Sequence, residues 1–138
     1  MNKILIKIVV IMGLFFSYSV KPNNHEKVIK SMIDLSPNKP VHKLFPLTIL
    51  SINGESVNHR NDMIMLEPGE YKFKFLANVD LRFFAESDRI IRTKINQRKY
   101  HDSLELIVEP GTSYQLGFDA SSRKIEDWRP VLLSTTKK

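Results

Sequence analysis

The chain of 138 residues contains no cysteine. This absence excludes a disulfide framework, an acylated lipobox cysteine, thiolate metal ligands and a cysteine nucleophile. Because 42% of the residues are apolar, the chain can still build one core of ordinary size. That core must be held by side-chain packing and by sheet hydrogen bonds alone.

Motifs of catalytic and cofactor sites are also missing. The sequence has no H-E-x-x-H, no G-x-S-x-G and no glycine-rich phosphate loop, and none of its four histidines has a metal-ligand spacing. The loops His59–Asp62 and His101–Ser103 contain triad residue types, but triads are assembled from distant segments, so both are predicted to be solvated loops. We therefore expect no enzyme, cofactor or metal. The alternative is an accessory or small hydrolase-like enzyme that uses these loop histidines.

Residues 1–19 have the pattern of a signal peptide. A basic start at Met1–Lys3 precedes an apolar run, which Lys7 shortens to residues 8–16, and Ser17–Ser19 offers small residues for cleavage before Val20. A run of nine is too short to span a hydrocarbon core of about 30 Å. The pattern predicts a periplasmic or secreted protein. Two alternatives stay open: an uncleaved inner-membrane anchor with the domain in the periplasm, and a buried N-terminal element.

Residues 20–43 are predicted to form a linker that contains a short helix. The apolar residues between His25 and Leu35 recur at roughly helical spacing, and Ser36-Pro37 ends the pattern. Pro40 follows three residues after Pro37, and prolines lack a backbone donor, which argues against regular structure there. The helix is therefore expected to be a flap outside the core.

Residues 44–138 are predicted to form an all-β domain, an antiparallel sandwich or small barrel of seven to eight strands. Asn53-Gly54 after the apolar run 47–52 is a strong hairpin signal. Alternation also predicts strands over 79–86 and 91–95. The residues expected to be largely buried are Tyr71, Phe73, Phe75, Phe83, Leu104, Leu106, Tyr114, Leu116, Phe118 and Trp128.

A short pattern occurs twice in this domain. Glu67-Pro68-Gly69 follows an apolar pair and precedes alternating residues from Tyr71 to Phe75, and Glu109-Pro110-Gly111 does the same before Tyr114 to Phe118. Each copy predicts a strand, a tight turn and a second strand. We expect the two copies to be two corners of one β domain.

The segment around the first corner resembles a known family. Ile52-Asn53-Gly54-Glu55-Ser56-Val57, followed by Ile64 to Tyr71, is similar to the core of PEGA-type modules, which are small β domains of prokaryotic surface proteins. Those modules carry a hydrophobic-Asp-Gly turn, an apolar strand, Pro-Gly and then an aromatic residue or histidine. The likeness covers about thirty residues, here 47–75, and no Pro-x-Gly-Ala precedes the turn. The resemblance implies an envelope β module and transfers no functional residue.

Positive charge is concentrated in one segment. Removal of Lys3 and Lys7 with the leader lowers the formal charge from +6 to +4, and residues 82–99 alone carry six basic against two acidic residues. The simplest interpretation is that these basic residues form the solvent-exposed face of a strand. The alternative is a binding patch for an anionic envelope partner such as an acidic glycan, a lipid head group or an acidic protein face; nucleic acid is not expected outside the cytoplasm. The patch residues are Arg82, Arg89, Arg92, Lys94, Arg98 and Lys99.

Overall fold

The computed structural model describes residues 27–58, 61–85 and 89–138, without the side chains of residues 89 and 90. The predicted leader therefore lies outside the described residues. Within these ranges, no helix is long and apolar enough to cross a membrane.

The protein is an all-β sandwich, as predicted. The described chain forms strands β1 to β9, one α-helix, α1 (Arg89–Asn96), and three 3-10 helices, Pro40–His42, Leu81–Phe83 and Ile125–Asp127. The strands are β1 Ser31–Asp34, β2 Leu44–Phe45, β3 Leu47–Ile52, β4 Glu55–Ser56, β5 Met63–Leu66, β6 Gly69–Ala77, β7 Ser103–Val108, β8 Thr112–Asp119 and β9 Arg129–Lys137.

The first sheet is built around β8. Strand β9 pairs with the whole length of β8 on one side. On the other side, β1 pairs with the first half of β8 in parallel, and β2 pairs with its end in antiparallel orientation. Strand β5 then pairs with β1. Thr135, Thr136 and Lys137 all belong to β9, so the chain is paired nearly to its last residue.

The second sheet has the order β4-β3-β6-β7 and is antiparallel throughout. The Asn53-Gly54 turn joins β3 to β4 as predicted. Asn53 has φ 51° and Gly54 has φ 82°, and positive φ at both positions is the geometry of a tight two-residue hairpin.

The two Glu-Pro-Gly corners form, and each carries the chain from one sheet to the other. The first joins β5 to β6, and the second joins β7 to β8. Because Gly69 pairs with Val108, both corners lie at the same end of the sandwich. Each is braced by a tyrosine: Tyr71 Oη donates to the Glu67 carbonyl at 2.7 Å, and Tyr114 Oη accepts from the Glu109 amide at 2.8 Å. The repeated tyrosine is thus part of the corner.

One apolar core lies between the sheets. Six of the ten residues predicted to be buried are buried, and Tyr71, Leu104 and Leu106 lie half-buried at its edge. The six are Phe73, Phe75, Tyr114, Leu116, Phe118 and Trp128.

Phe83 is the exception, since 38% of it is exposed. The predicted strand over 79–86 is replaced within residues 79–85 by the 3-10 helix Leu81–Phe83, which the Asp80 side chain caps by accepting from the Arg82 amide. The 3-10 helix shifts by one residue the position at which a side chain points into the core. Phe84 points inward instead, with its ring centroid 5.2 Å from that of Trp128.

The predicted N-terminal helix is also wrong within the described residues 27–35. Ser31–Asp34 is strand β1, held between β5 and β8. Ser31 and Ile33 are buried and Met32 and Asp34 are half-exposed, which is the alternation of a strand. The segment belongs to the sandwich because neighbouring strands supply the backbone partners that a short isolated helix would lack. The linker predicted over 20–43 therefore contains part of the domain.

Candidate functional site

The basic segment does not form the predicted strand over 91–95. Arg89–Asn96 is helix α1, and its residues Ile91 and Ile95 are half-buried against the core. The spacing of these two isoleucines fits a strand face and also one turn of a helix. Arg92 and Lys94, expected on one strand face, are two residues apart on a helix and therefore point in different directions.

Lys94 forms an ion pair. Its Nζ contacts the carboxylate of Glu126, which lies on the 3-10 helix Ile125–Asp127. The hydrogen bond from Lys94 lowers the pKa of Glu126 below its ordinary value. This contact connects α1 to the segment before β9.

Arg82 is also paired, with Asp80. The guanidinium Nη2 lies 2.7 Å from Asp80 Oδ2, and Nε lies 3.0 and 3.2 Å from the two oxygens. The hydrogen bonds from Arg82 lower the pKa of Asp80, and those to Asp80 raise the pKa of Arg82. The side chain of Arg82 is 87% exposed, so the pair leaves most of the guanidinium open to solvent.

Arg82 and Arg92 line a common groove of about 720 Å³. The groove lies between the segment 78–85 and the start of α1, and Arg92 is exposed. Apolar side chains contribute to the same lining, so two guanidinium groups border a surface that is partly apolar. These apolar residues are Val79, Leu81, Phe84, Ala85 and Ile91.

Sequence reasoning missed Lys43 and Phe84 at this site. The Lys43 ammonium lies 4.4 Å from the centroid of the Phe84 ring and donates to the Phe83 carbonyl. Phe84 also stacks on Phe45, with centroids 6.0 Å apart. Lys43 lies in the predicted linker, about forty residues from Phe84, and no local pattern in the sequence connects them. Together they secure the segment that carries Arg82.

The remaining patch residues follow or begin α1. Arg89 is its first residue. Arg98 and Lys99 come just after it and are exposed, and Arg98 has φ 53°, the left-handed conformation common where a helix ends. Within the described ranges, neither Arg98 nor Lys99 forms an ion pair. Arg92, Arg98 and Lys99 are thus exposed, and none of them forms an ion pair with a described residue.

The histidine loops show no shared catalytic geometry where they are described. His59 and Arg60 lie outside the described residues. The His101 side chain is exposed and its amide donates to the Trp128 carbonyl, while Ser103 Oγ donates to Asp102. Asp102 also faces Lys74 at 3.9 Å. Asp102 and Ser103 are thus bonded to each other, and the described hydrogen bond of His101 comes from its backbone amide.

Across the described part of the chain, no group of three or more His, Cys, Asp or Glu side chains could hold a metal ion. Comparisons with protein-family models, with curated proteins and with solved structures gave no match. The likeness of residues 47–75 to PEGA-type modules therefore stays a prediction.

Proposed function

We propose that this protein is an exported, non-enzymatic β-sandwich module of the bacterial envelope that binds an anionic partner through its basic groove. The basic groove is the surface bordered by Arg82 and Arg92, together with Arg98 and Lys99 beyond α1. The observation that carries the proposal is that two arginines from separate segments border one partly apolar groove.

The chemistry of the lining supports an anion with an apolar part. A guanidinium presents planar, bidentate donors that match phosphate and carboxylate oxygens, and it stays charged at any physiological pH. Leu81, Phe84 and Ile91 offer apolar contact beside those donors. Lipid phosphates and acidic glycans of the envelope share this combination of anionic and less polar surface.

The distribution of paired charges also supports the proposal. Lys94 and Arg82 are engaged by carboxylates, whereas Arg92, Arg98 and Lys99 have no acidic partner among the described residues. Exposed charges of one sign raise the encounter rate with an oppositely charged surface. Their effect weakens with salt because the Debye length falls from about 30 Å at 0.01 M to about 3 Å at 1 M.

Binding to vesicles of phosphatidylglycerol and to an immobilised sulfated polysaccharide tests the proposal across that salt range. The wild-type protein should bind at low salt and be released as salt rises. The variant Arg92→Glu/Arg98→Glu should lose binding to at least one of the two surfaces. Its melting temperature should stay nearly unchanged, because Arg92 and Arg98 are exposed and make no described ion pair.

A matched control is Lys30→Glu/Lys72→Glu, which makes the same change in net charge at exposed positions away from the groove. This variant should bind nearly as the wild type does. Equal binding by wild type and Arg92→Glu/Arg98→Glu would show that the two arginines are only exposed to solvent and do not contact the anionic partner. Equal loss in both double variants would show that net charge, and not the groove, drives binding.

A further inference from the structure

The methionines of this chain are unevenly distributed. Two of the five, Met1 and Met12, lie in the predicted leader. The other three are Met32 on β1 and Met63 and Met65 on β5, and these two strands are neighbours in the first sheet. The domain thus places all of its thioethers on one pair of strands.

All three methionines lie on the outer face of that sheet. Ile33 on β1 is fully buried. Met32 is its neighbour in the alternating strand, so Met32 points to the opposite, outer face. On β5, Ile64 and Leu66 pack against the core, and Met63 and Met65 are 53% and 56% exposed. More than half of each of these two residues is therefore exposed to solvent.

The strand register makes the cluster compact. Met32 is directly opposite Met65, and Asp34 is directly opposite Met63. Side chains directly opposite in an antiparallel pair have Cβ atoms about 4.5–5.5 Å apart, and residues i and i+2 on a strand are about 7 Å apart. Three thioethers and one carboxylate thus occupy the corners of a small rectangle. A methionine side chain has three rotatable bonds, so the sulfurs can converge above it.

Asp34 supplies a fixed negative charge at the fourth corner. Its Oδ1 accepts from the Ser36 hydroxyl at 2.6 Å and from the Ser36 amide at 3.0 Å, and its Oδ2 accepts from Gln115 at 3.3 Å. These contacts hold the carboxylate in place, and a carboxylate favours a cation beside it.

We propose that Met32, Met63 and Met65 form a binding site for a soft monovalent cation, Cu(I), with Asp34 as the charge that balances it. Thioether sulfur is a neutral, soft ligand that favours Cu(I) over hard cations such as Mg²⁺ and Ca²⁺. Three sulfurs suit a three-coordinate ion, and the carboxylate offsets its single charge. The site is on the outer face of the first sheet and does not depend on the basic groove.

Titration of the purified protein with Ag(I), a stable analogue of Cu(I), followed by NMR of ¹³C-labelled methionine methyl groups tests the site. Three methyl signals should shift and saturate at one equivalent. Met1 and Met12, where the purified chain retains them, should not shift and serve as internal controls. Zn²⁺ at the same concentration should leave all signals in place.

Leucine variants identify the ligands, because leucine keeps the size and apolar character of methionine without the sulfur. Under anaerobic conditions, competition with a Cu(I)-chelating dye should show that Met65→Leu weakens binding about tenfold or more. The triple variant Met32→Leu/Met63→Leu/Met65→Leu should abolish it. Asp34→Asn should weaken binding less than Met65→Leu, because it removes charge and no sulfur.

Met65 is more than half exposed, so Met65→Leu is expected to fold, and its circular dichroism and melting temperature check this directly. Two results would overturn the proposal. One is the absence of any methionine shift at one equivalent of Ag(I). The other is a triple leucine variant that competes for Cu(I) as well as the wild type does. Both results are expected if the three methionines are only an apolar surface and bind no metal.

Discussion

At the scale of single residues, Phe73 is a central side chain of the core. It has no exposed surface, and its ring stacks between Tyr71 and Phe75 with centroids 5.8 and 5.6 Å away. Its neighbours on β6 alternate with Lys72 and Lys74, which are exposed on the opposite face. The burial of one aromatic row on β6 therefore connects the second sheet to the core.

Phe73→Ala is expected to lower the free energy of unfolding by about 3–5 kcal/mol, because it removes a buried ring and leaves a cavity. A domain of this size has about 5–15 kcal/mol in total, so the variant should be barely folded. Urea unfolding measures the loss. A midpoint that corresponds to less than about half a kcal/mol would contradict the assigned face of β6.

Phe83→Ala is the matched control for this change. The same ring is removed, but Phe83 is 38% exposed and lies in a 3-10 helix at the surface. We expect a loss of about 1 kcal/mol or less. The comparison separates burial from the mere presence of an aromatic side chain.

At the scale of elements, β1 decides how the first sheet is joined. It is the described strand that pairs with both β5 and β8, so β5 is attached to the sheet through it. Ser31 reinforces this position: its hydroxyl donates to the Glu109 carbonyl and accepts from the Thr112 amide at 3.1 Å. The start of β1 is thus bonded to the second Glu-Pro-Gly corner.

Ile33→Ala is expected to cost about 2–5 kcal/mol of unfolding free energy, because Ile33 is fully buried in β1. Ile29→Ala, four residues earlier and 60% exposed, should change it by about half a kcal/mol or less. Denaturant unfolding of both variants measures the difference. Near-equal, small effects would mean that this segment is a detachable flap and not part of the sheet.

At the scale of the whole molecule, the two ends of the sandwich differ. One end holds both Glu-Pro-Gly corners and the end of β9, where Lys137 faces Glu109 at 3.9 Å. The other holds α1, the groove, and Arg92 and Arg98, which form no ion pair with a described residue. A partner attracted by charge would therefore meet one end of the domain, as the proposed function requires.

The proposed export predicts a processed chain. Cleavage after Ser19 would give a mature N-terminus at Val20, because Ser17 and Ser19 place small residues at the positions that signal peptidase reads. Intact mass spectrometry of the protein from the periplasmic fraction should give the mass of residues 20–138. A chain that retains Met1 and fractionates with the membrane would favour the anchored alternative.

Turn chemistry and alternation made much of the fold predictable. Asn53-Gly54 and the two Glu-Pro-Gly corners contain residues suited to the backbone geometry of turns, and this preference is local. The rows Tyr71–Phe75 and Tyr114–Phe118 have a clear period of two. The predictions failed where a pattern was short: Ile91 and Ile95 fit two kinds of element, and the apolar residues of 25–35 suited a helix as well as a strand.

Less of the candidate site than of the fold could be predicted from the sequence. The concentration of basic residues in 82–99 was visible, but which cations are paired was not, because Lys94 meets Glu126 across thirty-two residues. Lys43 reaches Phe84 across a similar distance. Such pairs depend on how the loops pack at one end of the sandwich.

The sequence by itself determined the class of fold, the turns and the main aromatic rows, because these follow from the preferences of neighbouring residues. The tertiary structure decided that β1 is a strand, that residues 89–96 are a helix, and that Phe84 and not Phe83 enters the core. It also placed Met32 opposite Met65. These outcomes depend on hydrogen bonds and packing between segments far apart in the chain, and a local pattern carries no information about which distant partner it will meet.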